Sequence, residues 1–153
     1  MSFDREVLFS HESSEWRTPV KLYDSLDLEF NFELDAAASE ENHLCFAWFS
    51  KEQDGLTKVW HTYGNTFVNP PYGKEIKFWV EKAWKESQKG INVVMVLPAR
   101  TDTIWFHEFI YGRAEIRFLR GRLKFLDPNG QELSSAPFPS MVAVFRPPHQ
   151  RKM

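Results

Sequence analysis

Cysteine is nearly missing from this sequence: Cys45 stands alone among 153 residues. An internal disulfide and a multi-thiolate metal site are therefore both excluded. Long apolar runs are missing too. No window approaches the roughly 20 residues needed to span a bilayer, which argues against a membrane role. The Met1-Ser2-Phe3-Asp4 start lacks the basic-then-apolar run of an export signal, so a cytoplasmic location is expected. The histidines, at 11, 43, 61, 107 and 149, have no metal-ligand spacing and are read as surface or satisfied core residues, with no metal site expected. Repeats and low-complexity tracts are also absent.

What is present is aromatic. Hydrophobic residues make up 42% of the chain and aromatics 16%, with six Trp and fourteen Phe, enough for one large core. The length suits one compact domain and leaves no room for a separate substrate-recognition domain. The net charge of -2 hides an asymmetry: residues 1–60 carry 5 basic and 13 acidic side chains, residues 61–153 carry 14 and 8. A basic second half suits a polyanion such as nucleic acid, although solvated faces of ordinary enzymes give the same arithmetic.

Thr18-Pro19 reads as a helix opening, Thr18 capping and Pro19 in the first helical position, with Val20, Leu22, Tyr23 and Leu26 as the apolar face. Phe30 to Asp35 alternates as a strand would and runs into a small-residue turn, Ala36 to Ser39. Cys45 to Phe49 and Thr66 to Val68 are further strands, the first followed by a turn over Ser50 to Gly55. Residues 74–89 form a helix with Ile76, Trp79, Val80, Ala83 and Trp84 on one face and Gly90 as its stop. Ile91 to Leu97 is a central parallel strand, ended by Pro98. Thr103 to Tyr111 is a short helix, Glu115 to Leu126 a basic strand or hairpin, and Ser140 to Phe145 a last strand. The expected architecture is an α/β sheet wound by right-handed crossovers.

The sharpest feature is Asn69-Pro70-Pro71-Tyr72, directly after a strand, where ligands of open α/β sheets bind. Two prolines force the chain out of the sheet and fix its course. The Asn69 side-chain oxygen and the Pro70 carbonyl are acceptors suited to the two hydrogens of an arylamine, and Tyr72 is suited to stacking on a base. Such a loop fits methylation of an amino group by in-line displacement from a sulfonium, a reaction of alignment that calls for no metal. A double proline that merely ends a strand is the plain alternative. The loop leaves the substrate open, since similar loops serve cytosine N4, guanine N2 and glutamine side chains.

Taken together, several segments resemble the phage-type DNA N6-adenine methyltransferases of the Dam group, over about residues 15–146. They are Glu15-Trp16-Arg17-Thr18-Pro19, Glu29-Phe30 with Leu34-Asp35-Ala36-Ala37, Asp54-Gly55-Leu56 with Trp60, and Phe67 to Gly73. Leu97 to Thr103, Gly121-Arg122-Leu123 with Phe125, and Ala136 to Ser140 complete the set. The resemblance implies a single-domain Rossmann-like fold dependent on S-adenosylmethionine, mostly parallel with a terminal antiparallel hairpin. It implies a methyltransferase domain at 15–146 between an extension at 1–14 and a tail at 147–153. Asn69, Pro70, Pro71 and Tyr72 are then catalytic. Trp16 and Thr18 border the methionine end of the cofactor, Asp35-Ala36 form the first cofactor loop, and Asp54 faces the adenine. Asp35-Ala36-Ala37-Ala38 replaces the Gly-rich cofactor loop of the wider class. By itself Asp35 suits either the cofactor's ammonium or a cap on the turn after its strand, and Asp54 is an ordinary turn residue.

Arg113, Arg117, Arg120, Arg122 and Lys124 form the densest basic cluster, and strand alternation would bring several to one face for DNA phosphates. Arg100 is expected near the pocket, on DNA or paired with Asp102. Adenine N6 lies inside a duplex, so the base must be flipped or come from a single strand. The rival readings are an RNA or protein-glutamine methyltransferase with the same loop and a non-catalytic DNA-binding relic of the fold. Cys45 is expected to be buried and inert.

Overall fold

The computed structural model describes residues 16–150. The extension at 1–14, with His11, lies outside these residues, as do Glu15 and 151–153. Helix α1 spans Val20–Phe30 and buries Tyr23, Leu26 and Phe30. Its opening differs from expectation. Pro19 is the flanking residue, its carbonyl accepting from the Tyr23 N–H at 3.1 Å, and Thr18 makes no cap.

Asn31, at φ 52°, closes α1 in the left-handed conformation that Asn tolerates better than most residues. The Asp27 carboxylate then accepts from the Phe32 N–H at 2.9 Å, and the Asn65 amide donates to the Phe30 carbonyl at 2.7 Å. These side-chain partners hold residues 30–32 off the sheet, and backbone pairing begins only where the Glu33 N–H meets the Asn65 carbonyl at 2.8 Å, so the first strand starts later than the alternation suggests. It also runs longer: β1 is Leu34–Ala38, and the small residues expected as a turn continue the strand.

The other strands are β2 (Ala47–Ser50), β3 (Thr66–Val68), β4 (Val93–Pro98), β5 (Glu115–Phe118) and β6 (Ser140–Phe145), with α2 at Ile76–Ser87 between β3 and β4. The short helix expected over Thr103 to Tyr111 is present at residues 104–110, and its last five residues, Phe106–Ile110, are wound as a π-helix. The strands form one six-stranded sheet in the order β2-β1-β3-β4-β6-β5. β1 pairs parallel with β2 and β3, and β3 with β4; β6 lies antiparallel against both β4 and β5. The molecule is thus a mixed α/β unit with a mostly parallel sheet. The terminal antiparallel pair is no tight hairpin, because residues 119–139 intervene and β6 sits between β4 and β5.

β5 ends at Phe118, which corrects the expected strand to Leu126. Arg120, Arg122 and Lys124 lie beyond it, so strand alternation does not order them.

Strand parity divides the core. Leu34, Val68, Val93, Met95 and Leu97 pack with Ile76, Trp79, Val80 and Ala83 of α2 on one face. Phe67, Val94, Val96, Val142 and Val144 pack with Tyr23, Leu26 and Phe30 of α1 on the other. β4 is buried along its whole length, as a covered parallel strand requires. No helix of the described residues is long and apolar enough to cross a membrane.

Candidate active site

β1 is followed in sequence by β2 on one side and, after the crossing, by β3 on the other. A topological switch point therefore lies between β1 and β3, where their carboxyl ends diverge and open a crevice. β1 contributes Asp35 to Ala38 there, and β3 delivers Asn69 one residue past Val68.

Alternation along β1 sends successive side chains to opposite sides. Asp35 faces a cleft of about 570 Å³ that also holds Trp16, Thr18, Leu44, Trp48 and Asn69. Its charged lining is Asp35, Glu40, Glu41 and Glu52 against Arg17 and Lys51, an acid-rich set. Ala36 faces a second cleft, about 490 Å³, with Asp54, Gly55, Leu56, Pro71, Tyr72 and Trp79. Ala37, Ala38 and Asn69 line both. A third cleft, about 640 Å³, lies on the far side of Tyr72 and is bordered by Lys74, Arg100, Trp105 and Phe138.

Asp35 is only 4% exposed. Burial pushes its carboxyl up to about 6, against backbone hydrogen bonds from Leu44 and Ala37 and the nearby His43. The Leu44 N–H lies 3.0 Å from Oδ2. Asp35 therefore pins the loop between β1 and β2 as well as lining the cleft.

Asn69 has its orientation set by a residue far away in sequence: Nδ2 donates to Thr18 Oγ1 at 3.0 Å. The hydroxyl expected to cap α1 is spent here instead. Among the described residues no donor engages Asn69 Oδ1, and no backbone N–H reaches the carbonyl of buried Pro70. Asn69 lines both of the first two clefts, where a ligand can meet its oxygen.

Tyr72 is fixed in three ways. β3 ends opposite Met95, and the Tyr72 hydroxyl donates to the carbonyl of the next β4 residue, Val96, at 3.1 Å. Phe125 and Phe138 meet its ring edge-on, with centroids 6.1 and 5.7 Å away. Burial pushes the phenol above its ordinary range, so Tyr72 stays neutral and is no general base.

Asp54, at φ 57°, caps the turn Gly55–Thr57 through the Leu56 N–H. Gly55 is buried so close to β1 that an added Cβ would come 2.2 Å from the Ala36 carbonyl oxygen. The Trp60 indole N–H donates to the Gly55 carbonyl at 2.8 Å. Asp54, Gly55 and Leu56 thus form a wall of the second cleft, braced from behind by the buried Trp60.

The predicted cofactor residues are therefore shared out, with Trp16, Thr18 and Asp35 in the acidic cleft and Ala36 and Asp54 in its neighbour. Arg100 stacks its guanidinium over Phe138 at 5.8 Å, and among the described residues no ion pair joins it to Asp102. Arg120, Arg122 and Lys124 are exposed, Arg122 reaching the Ala136 carbonyl at 3.4 Å and Lys124 pairing with Glu132 at 3.9 Å. Elsewhere in the basic cluster Arg117 pairs with Glu29 and Glu115, and Arg113 lies over Trp84. Cys45 is buried, and burial lifts its thiol to about 11.

Sequence reading missed Phe125 and Phe138 as the clamp on Tyr72, Trp79 as a cleft wall and Lys74 at the third cleft. Phe138 and Tyr72 are far apart in the chain, and no local pattern signals their meeting.

Fold and site define an α/β protein whose Asn-Pro-Pro-Tyr loop stands at the switch point of a mostly parallel sheet. The chain matches the DNA N-6-adenine-methyltransferase (Dam) family over residues 7–153 and belongs to it. It is 35% identical to a DNA N-6-adenine-methyltransferase of Escherichia phage T1 over 109 residues, 71% of this chain and 45% of that protein. It is 28% identical to one of Haemophilus phage HP1 (strain HP1c1) over 136 residues, 86% of this chain and 78% of the relative. The matched region thus spans under half of the T1 protein and most of the HP1 protein.

Proposed function

We propose that this chain transfers a methyl group from S-adenosylmethionine to the N6 amino group of adenine in DNA. The observation that carries this reading is Asn69, which lines two adjoining clefts and whose amide nitrogen is held by Thr18 while no donor among the described residues engages its oxygen.

The cleft residues fit the methyl donor. Its ammonium and sulfonium are both cationic, and the larger of the two clefts has four carboxylates to two cationic side chains. The alanines at 36–38 let a ligand lie close to the backbone, and each cleft has the volume of a small-ligand site. In this reading Asp35 meets the ammonium, Trp16 and Thr18 border the methionine end, and Ala36 and Asp54 flank the adenosine. S-adenosylmethionine bound there supplies a methyl group already activated by its sulfonium, which leaves the protein the work of alignment.

The nitrogen of an arylamine is a weak nucleophile because its lone pair is delocalised into the ring. Asn69 Oδ1 and the Pro70 carbonyl accept its two hydrogens, turn the lone pair out of the ring plane and carry the charge that develops on them. Prolines at 70 and 71 hold these acceptors rigid, so little reorganisation accompanies reaction. The clamped ring of Tyr72 offers a fixed face for the base, whose stacking offsets the few kcal/mol of leaving a duplex. Lys74 and Arg100 receive the strand at the third cleft, and Arg120, Arg122 and Lys124 contact phosphates.

The test is incubation with S-adenosylmethionine and unmethylated DNA, then nucleoside analysis by mass spectrometry. N6-methyladenine is expected, and Asn69→Ala is expected to abolish it. Cofactor binding without any methylated base would move the substrate to RNA or a protein glutamine.

A further inference from the structure

We propose that Thr18 is a positioning residue: its hydroxyl, accepting from Asn69 Nδ2, anchors the amide so that Oδ1 is held toward the target amino group. The inference rests on the methyltransferase reading above. A carboxamide has two ends of nearly equal size and opposite hydrogen-bonding character. Turned over, Asn69 would set N–H against N–H and hold the target nitrogen in no useful geometry.

Thr18 Oγ1 lies 3.0 Å from Asn69 Nδ2 across 51 positions of sequence, so this is no local turn. The hydroxyl is itself firmly placed. Thr18 is 5% exposed and makes no helix cap. Arg17 pairs with Leu126 through both backbone groups, at 2.9 and 3.0 Å, and Trp16 packs on Phe125 with centroids 5.8 Å apart. The segment carrying Thr18 is thus tied to the same Phe125 that clamps Tyr72, so the acceptor and the stacking ring share one support.

Thr18→Val keeps the shape and removes the hydrogen-bond acceptor. A loss of about tenfold to a hundredfold in kcat is expected, the scale of misplacing a reacting group. Because Thr18 also borders the methionine end of the cofactor, some loss of affinity is expected too, but the loss in kcat should exceed it several-fold, since poorer alignment acts on kcat beyond ground-state binding. Thr18→Ser should restore the rate, and Thr18→Ala, which adds no methyl, should repeat the loss. In 15N-labelled protein the Asn69 side-chain NH2 pair, assigned through Asn69→Asp, should shift in Thr18→Val and return in Thr18→Ser. An unmoved pair, an unchanged kcat, or equal losses in kcat and cofactor affinity would overturn the inference. If the unsubstituted protein forms no N6-methyladenine, the DNA-adenine reading fails by itself, and the amide resonances still report whether the Thr18–Asn69 bond exists.

Discussion

Asp35 carries a conflict between folding and binding. Burial raises its carboxyl from the ordinary 3.8 to about 6. Between those values the folded state holds a proton that the unfolded state has released, so stability falls as pH rises through the interval and stays lower above it. A ligand ammonium would relieve that cost. Cofactor affinity, measured by titration calorimetry, is therefore expected to weaken as pH drops through about 6. Asp35→Asn is expected to lose affinity and flatten this pH dependence, yet to raise the melting temperature of the ligand-free protein near pH 7. An Asp35→Asn protein that bound the cofactor with the same pH profile would remove Asp35 from the site.

Helix α2 is joined to the β2–β3 connection by one buried acid. Glu86 is 2% exposed and accepts at 2.9 Å from the backbone N–H groups of Trp60 and His61 and from the His61 ring, while Lys82 donates to its other oxygen at 3.0 Å. Burial alone would raise its carboxyl, but these donors together outweigh it and hold the group down at about 2. Its contribution is thus present above the ordinary carboxylate value of 4.5 and lost as pH falls toward about 2. Glu86→Ala would strand several buried donors and is expected to cost about 3–5 kcal/mol, read from urea unfolding at pH 7. Because Trp60 braces Gly55, the same substitution should loosen the second cleft. A loss under about 1 kcal/mol would reduce the latch to an ordinary surface pair.

The two halves of the chain divide the charge, and the fold turns that division into two faces. The acidic first half supplies Asp35, Glu40, Glu41 and Glu52 to the cleft proposed for a cationic donor. The basic second half supplies Lys74 and Arg100 to the cleft beyond Tyr72, with Arg120 and Arg122 exposed farther along the chain. Charge reversal of both Lys74 and Arg100 to Glu is expected to weaken DNA binding. The slope of log affinity against log salt should fall by about 2, roughly 0.9 for each phosphate no longer neutralised. Cofactor affinity should change little. An unaltered slope, measured by fluorescence anisotropy at several salt concentrations, would place the DNA elsewhere on the molecule.

Local pattern was enough to locate the final strand at Ser140–Phe145, the short β3, the helix that became α2 and the Asn-Pro-Pro-Tyr loop, because periodicity and proline chemistry act over a few residues. Glu86 was legible in principle, since it follows Trp79 by seven and Ala83 by three on the buried helical face. The late start of β1 was not, because Asn65, far along the chain, holds the Phe30 carbonyl. Nor was the use of Thr18, which by sequence is a helix cap and in the fold is the partner of Asn69. The order β4-β6-β5, the clamp of Phe125 and Phe138 on Tyr72, and the division of the proposed cofactor residues between two clefts all depend on segments distant in the chain coming together. Sequence determined which groups are available and where the chain must turn; tertiary structure decided which of them meet, because a hydrogen bond or ring pairing between distant segments leaves no local periodicity to read.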